Sequence, residues 1–170
     1  MPNIGKAGTI NMAQHGMQFG IVPVETAKTI SGLELLTAIM EGTLPAPPIQ
    51  GTLDFKLVEV SSGRAVFAGN PKSDYYNPLG SVHGGYIAAL LDSCMACAVH
   101  STLQAGFSYA TLEIKINYVR AITADTGEIR AEGKVTSSGR RVATAEGRLC
   151  DSTGKLFAHG STTCLILSLP

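Results

Sequence analysis

Asp92 is the residue whose setting first suggests chemistry. It is the one formally charged side chain between His83 and His100, in a run of apolar and small residues. Burying an unpaired carboxylate is costly, so a compensating role is expected. Asp92 is a candidate general base or nucleophile. The alternative is a structural carboxylate that accepts hydrogen bonds from Ser93, Thr111 or a backbone group.

The residues His83, Gly84 and Gly85 stand directly before this apolar run. Backbone N–H groups at a helix start are unpaired and positively polarised, and glycine lets a ligand approach the backbone closely. This start is therefore a candidate site for a developing oxyanion. The alternative is that the glycines serve only a tight turn and close packing.

Spacing decides how these two groups can cooperate. Gly84 and Asp92 are eight positions apart, so in a helix their Cα atoms lie ~12 Å apart along the axis. Groups that act on one carbonyl must each come within about 3 Å of the reacting atoms. If both take part in one reaction, they come from different chains.

The chain pattern predicts the elements that position these groups. A short amphipathic helix begins at a Ser31 cap and ends at Gly42, and an apolar helix runs from Gly84 to about Leu103. Alternating patterns predict strands at 52–60, 64–69, 111–119, 127–136, 141–150 and 155–168. Short turns between the last four strands favour an antiparallel meander. The fold class is therefore α+β, with an antiparallel sheet wrapped around one long buried helix.

The division of the chain follows from the same patterns. Residues 1–30 show no sustained periodicity and are predicted to be a loosely packed extension, followed by one domain over 31–170. The long helix is more apolar than one sheet face requires, so a second copy is expected to cover the remainder. We predict at least a homodimer.

Composition limits the classes of partner. Apolar residues make up 45% of the 170 residues, and 13 basic residues balance 13 acidic ones, which favours neither nucleic acid nor an acidic membrane surface. No export signal or membrane span is predicted. The four cysteines lie in apolar stretches, which favours a reducing cytoplasmic setting. Cys94 and Cys97 form a C-x-x-C pattern inside the helix, where packing is favoured over metal or redox chemistry, and no metal site is expected.

The run from Asn77 through His83-Gly84-Gly85, followed by the helix with Asp92, resembles the PaaI-like acyl-CoA thioesterases of the hot-dog fold. The later segment "GKLFAHGSTTCLI" resembles them too, and the likeness covers roughly residues 31–168. It implies that Asp92 is the nucleophile or general base. It also implies an oxyanion N–H from Gly84, or less surely from Gly85. The remaining implied roles are substrate or water orientation by Asn77, steadying of the loop or carbonyl polarisation by His83, and assistance to the water by Thr111 across the dimer.

The resemblance further implies an aryl- or medium-chain acyl-CoA substrate and a homodimer that pairs into a tetramer. Coenzyme A is then part of the substrate and no separate cofactor is expected. Its phosphates would meet basic residues such as Arg140 and Arg141, although two arginines at a turn more often belong to a solvated hairpin. Two alternatives remain: a non-catalytic acyl-CoA-sensing protein, and an enoyl-CoA hydratase. The nine-residue spacing of Asp74 and His83 argues against the hydratase.

Overall fold

The computed structural model describes residues 18–170. In chain order its helices are α1 (Val24–Ala27), α2 (Gly32–Met40), α3 (Pro48–Leu53) and α4 (Gly84–His100). The strands are β1 (Phe55–Ser61), β2 (Arg64–Gly69), β3 (Phe107–Tyr118), β4 (Ile129–Ser138), β5 (Val142–Asp151) and β6 (Leu156–Ser168). No helix among these residues is long and apolar enough to cross a membrane.

The six strands form one antiparallel sheet in the order β1-β2-β4-β5-β6-β3. The long helix α4 lies across it and buries nine residues, among them Leu90, Leu91 and Met95. The predicted hot-dog architecture is confirmed. Strand β3 lies at one end of the sheet, so its outer backbone edge has no partner within the described chain.

Two paired glycines let α4 approach the sheet. Gly133 on β4 pairs with Gly147 on β5. A Cβ atom at Gly133 would stand 2.3 Å from the carbonyl oxygen of Cys94, and one at Gly147 would stand 2.8 Å from Met95 Cγ. The helix backbone therefore rests directly on the sheet, which fixes its height and the direction in which its free face points.

The region before β1 packs on one flank of this core. The predicted helix over 31–42 corresponds to α2, and its Ser31 cap is confirmed by a capping box with Glu34. Within the described part of the predicted extension, α1 is a single helical turn, and Phe19 forms a bridge to Ala46. Residues from 18 to 30 pack against a small apolar cluster that includes Leu35.

Three predicted boundaries differ from the structure by three residues or more. The strand predicted from residue 52 begins at Phe55, because Pro48 occupies the first position of α3 and left-handed Asp54 (φ 49°) ends that helix. Strand β3 begins at Phe107 rather than 111, because its first residues pair with the end of β6. Helix α4 ends at His100 rather than near Leu103. The next residue is Ser101, whose hydroxyl donates to the carbonyl of Ala98 in the last turn of the helix.

Candidate active site

The first turn of α4 carries an unpaired amide. His83 caps the helix: its imidazole Nδ1 accepts the N–H of Gly85 at 2.9 Å. The N–H of Gly84 has no acceptor among residues 18–170, as expected for a first helical position. Gly84 is thus the free donor at this positively polarised helix end, whereas the Gly85 N–H is already bonded.

Asn77 is bonded within the loop that leads to this helix. Its Oδ1 accepts the N–H groups of Leu79 at 2.8 Å and Ser81 at 3.4 Å, and its Nδ2 donates to the Ser81 hydroxyl at 3.0 Å. The backbone N–H of Asn77 also donates to the carbonyl of Ser81. Asn77 therefore closes a tight turn before His83, which sets the entry of the chain into α4.

Asp92 lies two turns further along α4 and faces strand β3. Its Oδ1 accepts a hydrogen bond from the Thr111 hydroxyl of the same chain at 3.1 Å. Within the described residues, Oδ2 has no hydrogen-bond partner and the carboxylate forms no salt bridge. The side chain is only partly buried. One oxygen is held in place, and the other is available to a water molecule or a carbonyl carbon.

The cysteines near Asp92 are not nucleophiles. All four cysteines of the chain are free thiols. Burial, with a smaller contribution from the charge of Asp92, raises the pKa of Cys97 to about 12, and burial raises the pKa of Cys94 as well. A neutral thiol attacks carbonyl groups poorly. No group of three or more metal-ligating side chains occurs in residues 18–170.

The two halves of the candidate site contact β3 at separate points. Asp92 is bonded to Thr111, the fifth residue of the strand, whereas the carbonyl of Gly84 accepts the hydroxyl of Tyr118, its last residue, at 3.0 Å. Along α4 itself, the eight positions between Gly84 and Asp92 span ~12 Å. One chain therefore keeps its carboxylate and its free amide apart.

A cleft of about 310 Å³ opens beside the free amide. It is lined by Gly84, Tyr118 and Arg120, among others. A larger groove of about 440 Å³ lies elsewhere, where Lys115, Arg148 and His159 project from β3, β5 and β6. Because Gly84 borders the smaller cleft and not that groove, the cleft at Gly84 is the better candidate for substrate.

Arg140 and Arg141 lie in the turn between β4 and β5. Both side chains are exposed and form no salt bridge within the described part of the chain. The turn lies at the level of Thr111, since Ala143 pairs with Cys164 and Cys164 with Thr111. The arginines therefore lie toward the Asp92 end of the sheet.

Comparison with known proteins identifies the family of the chain. Residues 79–158 match the family model described as the thioesterase superfamily. A protein of Saccharolobus solfataricus named as an esterase is 31% identical over 132 residues, which are 78% of this chain and 92% of that protein. The chain belongs to the thioesterase superfamily. It is a hydrolase of the hot-dog type.

Solved structures show the same architecture for this thioesterase-superfamily chain. A phenylacetic acid degradation-related protein from Ralstonia eutropha is 30% identical, with a TM-score of 0.70 over 76% of this chain and 98% of that chain. The E. coli PaaI protein of the phenylacetic acid degradation operon has a TM-score of 0.70 over 81% and 94% of the two chains. At 18% identity, the second likeness supports the fold alone. The resemblance to PaaI-like thioesterases is confirmed.

The contact of Tyr118 with Gly84 is the feature of the site that sequence patterns do not identify. Aromatic residues on strands usually belong to the core, and Tyr118 lies 34 positions from Gly84. The chain offers no local signal for their contact. Only the packing of β3 against the start of α4 reveals it.

Proposed function

We propose that this protein hydrolyses an acyl-CoA thioester to a free acid and coenzyme A. The Gly84 N–H would stabilise the negative charge that develops on the thioester oxygen. The Asp92 carboxylate would either attack the carbonyl carbon or take a proton from the attacking water. Water supplies the hydroxyl of the acid, and the departing sulfur leaves as the thiol of coenzyme A.

The observation that carries this proposal is the pairing of an unbonded amide at a helix start with a partly bonded carboxylate on the same helix. Asp92 has one oxygen fixed by Thr111 and one free, as a base or nucleophile requires. The hydrogen bond from the Thr111 hydroxyl to Asp92 lies within one chain, so we propose that Thr111 orients the carboxylate. His83 and Asn77 then hold the oxyanion turn.

We propose that each active site forms between two chains. Gly84 and Asp92 contact β3 seven residues apart, at Tyr118 and Thr111, so the amide that acts with a given carboxylate would come from a second chain. Strand β3 offers an unpaired edge, and Leu112 on it is 60% exposed. Pairing of two β3 edges would give a homodimer and one continuous sheet. Two such dimers are expected to form a tetramer.

The proposed substrate carries an aryl or medium-chain acyl group, in line with the phenylacetic acid degradation named for the relatives. The phosphates of coenzyme A would be met by Arg140 and Arg141, which have no ion-pair partner in the described residues. Gly85 would border the same substrate. Free thiols at all four cysteines support a reducing compartment, such as the cytoplasm.

Release of free thiol from a panel of acyl-CoAs tests the function. Phenylacetyl-, benzoyl- and medium-chain substrates are compared with the parent protein, Asp92→Asn and the control Asp125→Asn, which changes an exposed carboxylate in the turn before β4. Asp92→Asn is expected to lose roughly 1,000-fold or more in kcat, whereas the control keeps the parent rate. If the folded parent binds acyl-CoA but releases no thiol, the chain is a binding protein instead.

A further inference from the structure

Tyr118 joins the edge strand β3 to the first turn of α4. Its hydroxyl donates to the carbonyl oxygen of Gly84 at 3.0 Å. Its ring lies against the same residue, because a Cβ atom at Gly84 would stand 3.2 Å from the ring carbon Cζ. The side chain thus contacts the turn that carries the proposed oxyanion donor.

The bonded carbonyl belongs to the peptide group between Gly84 and Gly85. The N–H of that same peptide donates to Nδ1 of His83 at 2.9 Å. A donor at the oxygen of a peptide polarises its N–H, and hydrogen bonds in a chain strengthen one another by about 10–30% each. Tyr118 therefore reinforces the bond by which His83 caps α4.

This chain of bonds determines where the proton of neutral His83 lies. A ring nitrogen that accepts a hydrogen bond carries no proton, so the proton is on Nε2. The His83 side chain is exposed at the helix start, next to the unbonded amide of Gly84. The Nε2–H of His83 and the N–H of Gly84 are then two donors on one turn, at the positive end of the helix dipole.

We propose that Tyr118 is a positioning residue for thioester hydrolysis. By fixing the Gly84–Gly85 peptide, it holds His83 in the Nε2–H tautomer and keeps this N–H beside that of Gly84, where both can donate to the thioester oxygen. Tyr118 acts through His83 and Gly84 and donates nothing to the substrate itself. This inference rests on the proposed hydrolase function for its catalytic consequence, although the tautomer of His83 does not depend on it.

The variant Tyr118→Phe removes the hydroxyl and keeps the ring. We expect its kcat to fall about five- to tenfold, with KM within about twofold of the parent value. The lost hydrogen bond is the one from the Tyr118 hydroxyl to the Gly84 carbonyl, which acts on the substrate only through His83 and Gly84. We also expect nitrogen NMR of the labelled imidazole to show a smaller population of the His83 Nε2–H tautomer than in the parent protein, because the bond from the Gly85 N–H to Nδ1 is weaker. Tyr86→Phe is the matched control, since Tyr86 lies on the same first turns of α4 and its hydroxyl has no hydrogen-bond partner among residues 18–170.

The two readouts separate this inference from the proposed function. An unchanged His83 tautomer in Tyr118→Phe overturns the inference, whether or not kcat falls, and so does a shift of equal size in Tyr86→Phe. If the parent releases no thiol from any acyl-CoA, the hydrolase proposal fails. The nitrogen spectra, which need no substrate, still decide the role of Tyr118: a change confined to Tyr118→Phe supports the positioning of His83.

Discussion

Replacement of Gly84 by proline would remove the proposed oxyanion donor with little disturbance of the backbone. Gly84 is the first residue of α4, the helical position at which proline is favoured. His83 before it is extended (φ −61°, ψ 136°), the conformation required before proline. The Gly84 N–H has no acceptor among the described residues, so its loss breaks no structural hydrogen bond.

The expected effect follows from the chemistry of the lost donor. Removal of one oxyanion donor costs about 100- to 1,000-fold in kcat. The His83 Nε2–H remains, so we expect the lower limit, about 100-fold, which corresponds to ~2.7 kcal/mol of transition-state stabilisation. Gly84→Ala is the matched control: it adds a Cβ at the same 3.2 Å contact with Tyr118 but keeps the N–H. Because Tyr118 is 54% exposed and needs to move by only a few tenths of an ångström, its hydrogen bond to Gly84 can persist, and alanine should stay within about threefold of the parent.

The assay is steady-state thiol release from the best acyl-CoA of the panel, with circular dichroism and thermal melting to confirm that both variants are folded. A large difference between proline and alanine separates the loss of the N–H from the effect of the added Cβ. If the two folded variants have the same kcat, the Gly84 amide does not stabilise the oxyanion and the reasoning is refuted.

Three stability predictions can be checked by urea unfolding. Tyr86→Phe removes a buried hydroxyl with no partner among residues 18–170, and should raise the free energy of unfolding by about 1 kcal/mol; a loss would contradict this. Gly133→Ala drives a Cβ against the carbonyl of Cys94 at 2.3 Å, and should cost about 1–3 kcal/mol or more; a neutral result would show that α4 can move off the sheet. Arg64 lowers the pKa of Glu132, so this ion pair stabilises the fold above the unfolded-state pKa of about 4.3. The cost of Glu132→Gln, about 0.5 kcal/mol at pH 7, should vanish as the pH falls through the lowered pKa, and a constant cost would count against the pair.

Much of the fold can be predicted because its signals are local. The apolar run before and after Asp92 predicts α4, and alternation with short turns predicts the meander of four strands. Helix α3 is missed because the apolar pattern continues through Leu53, while Pro48 and the left-handed Asp54 decide the backbone there. The early start of β3 is missed because it depends on pairing with β6.

The sequence and its family resemblance select Asp92, Gly84 and His83 as candidates, but they do not give the contacts of these residues. Thr111 is one of the donors to Asp92 that the residues alone suggest, and the structure places its hydroxyl on Asp92. That His83 accepts the Gly85 N–H through Nδ1 depends on a side-chain rotamer that no spacing encodes. The contact of Tyr118 with Gly84 arises only when β3 packs beside α4.

In the proposed dimer, a carboxylate from one chain and an amide from the other act on the same thioester. Mixing Asp92→Asn with Gly84→Pro tests this arrangement, since each variant alone is expected to be nearly inactive. A hybrid dimer then has one site with both groups intact, so random exchange of chains should restore about a quarter of the parent activity. If native mass spectrometry shows hybrids and no activity returns, both groups act within one chain and the claim is contradicted.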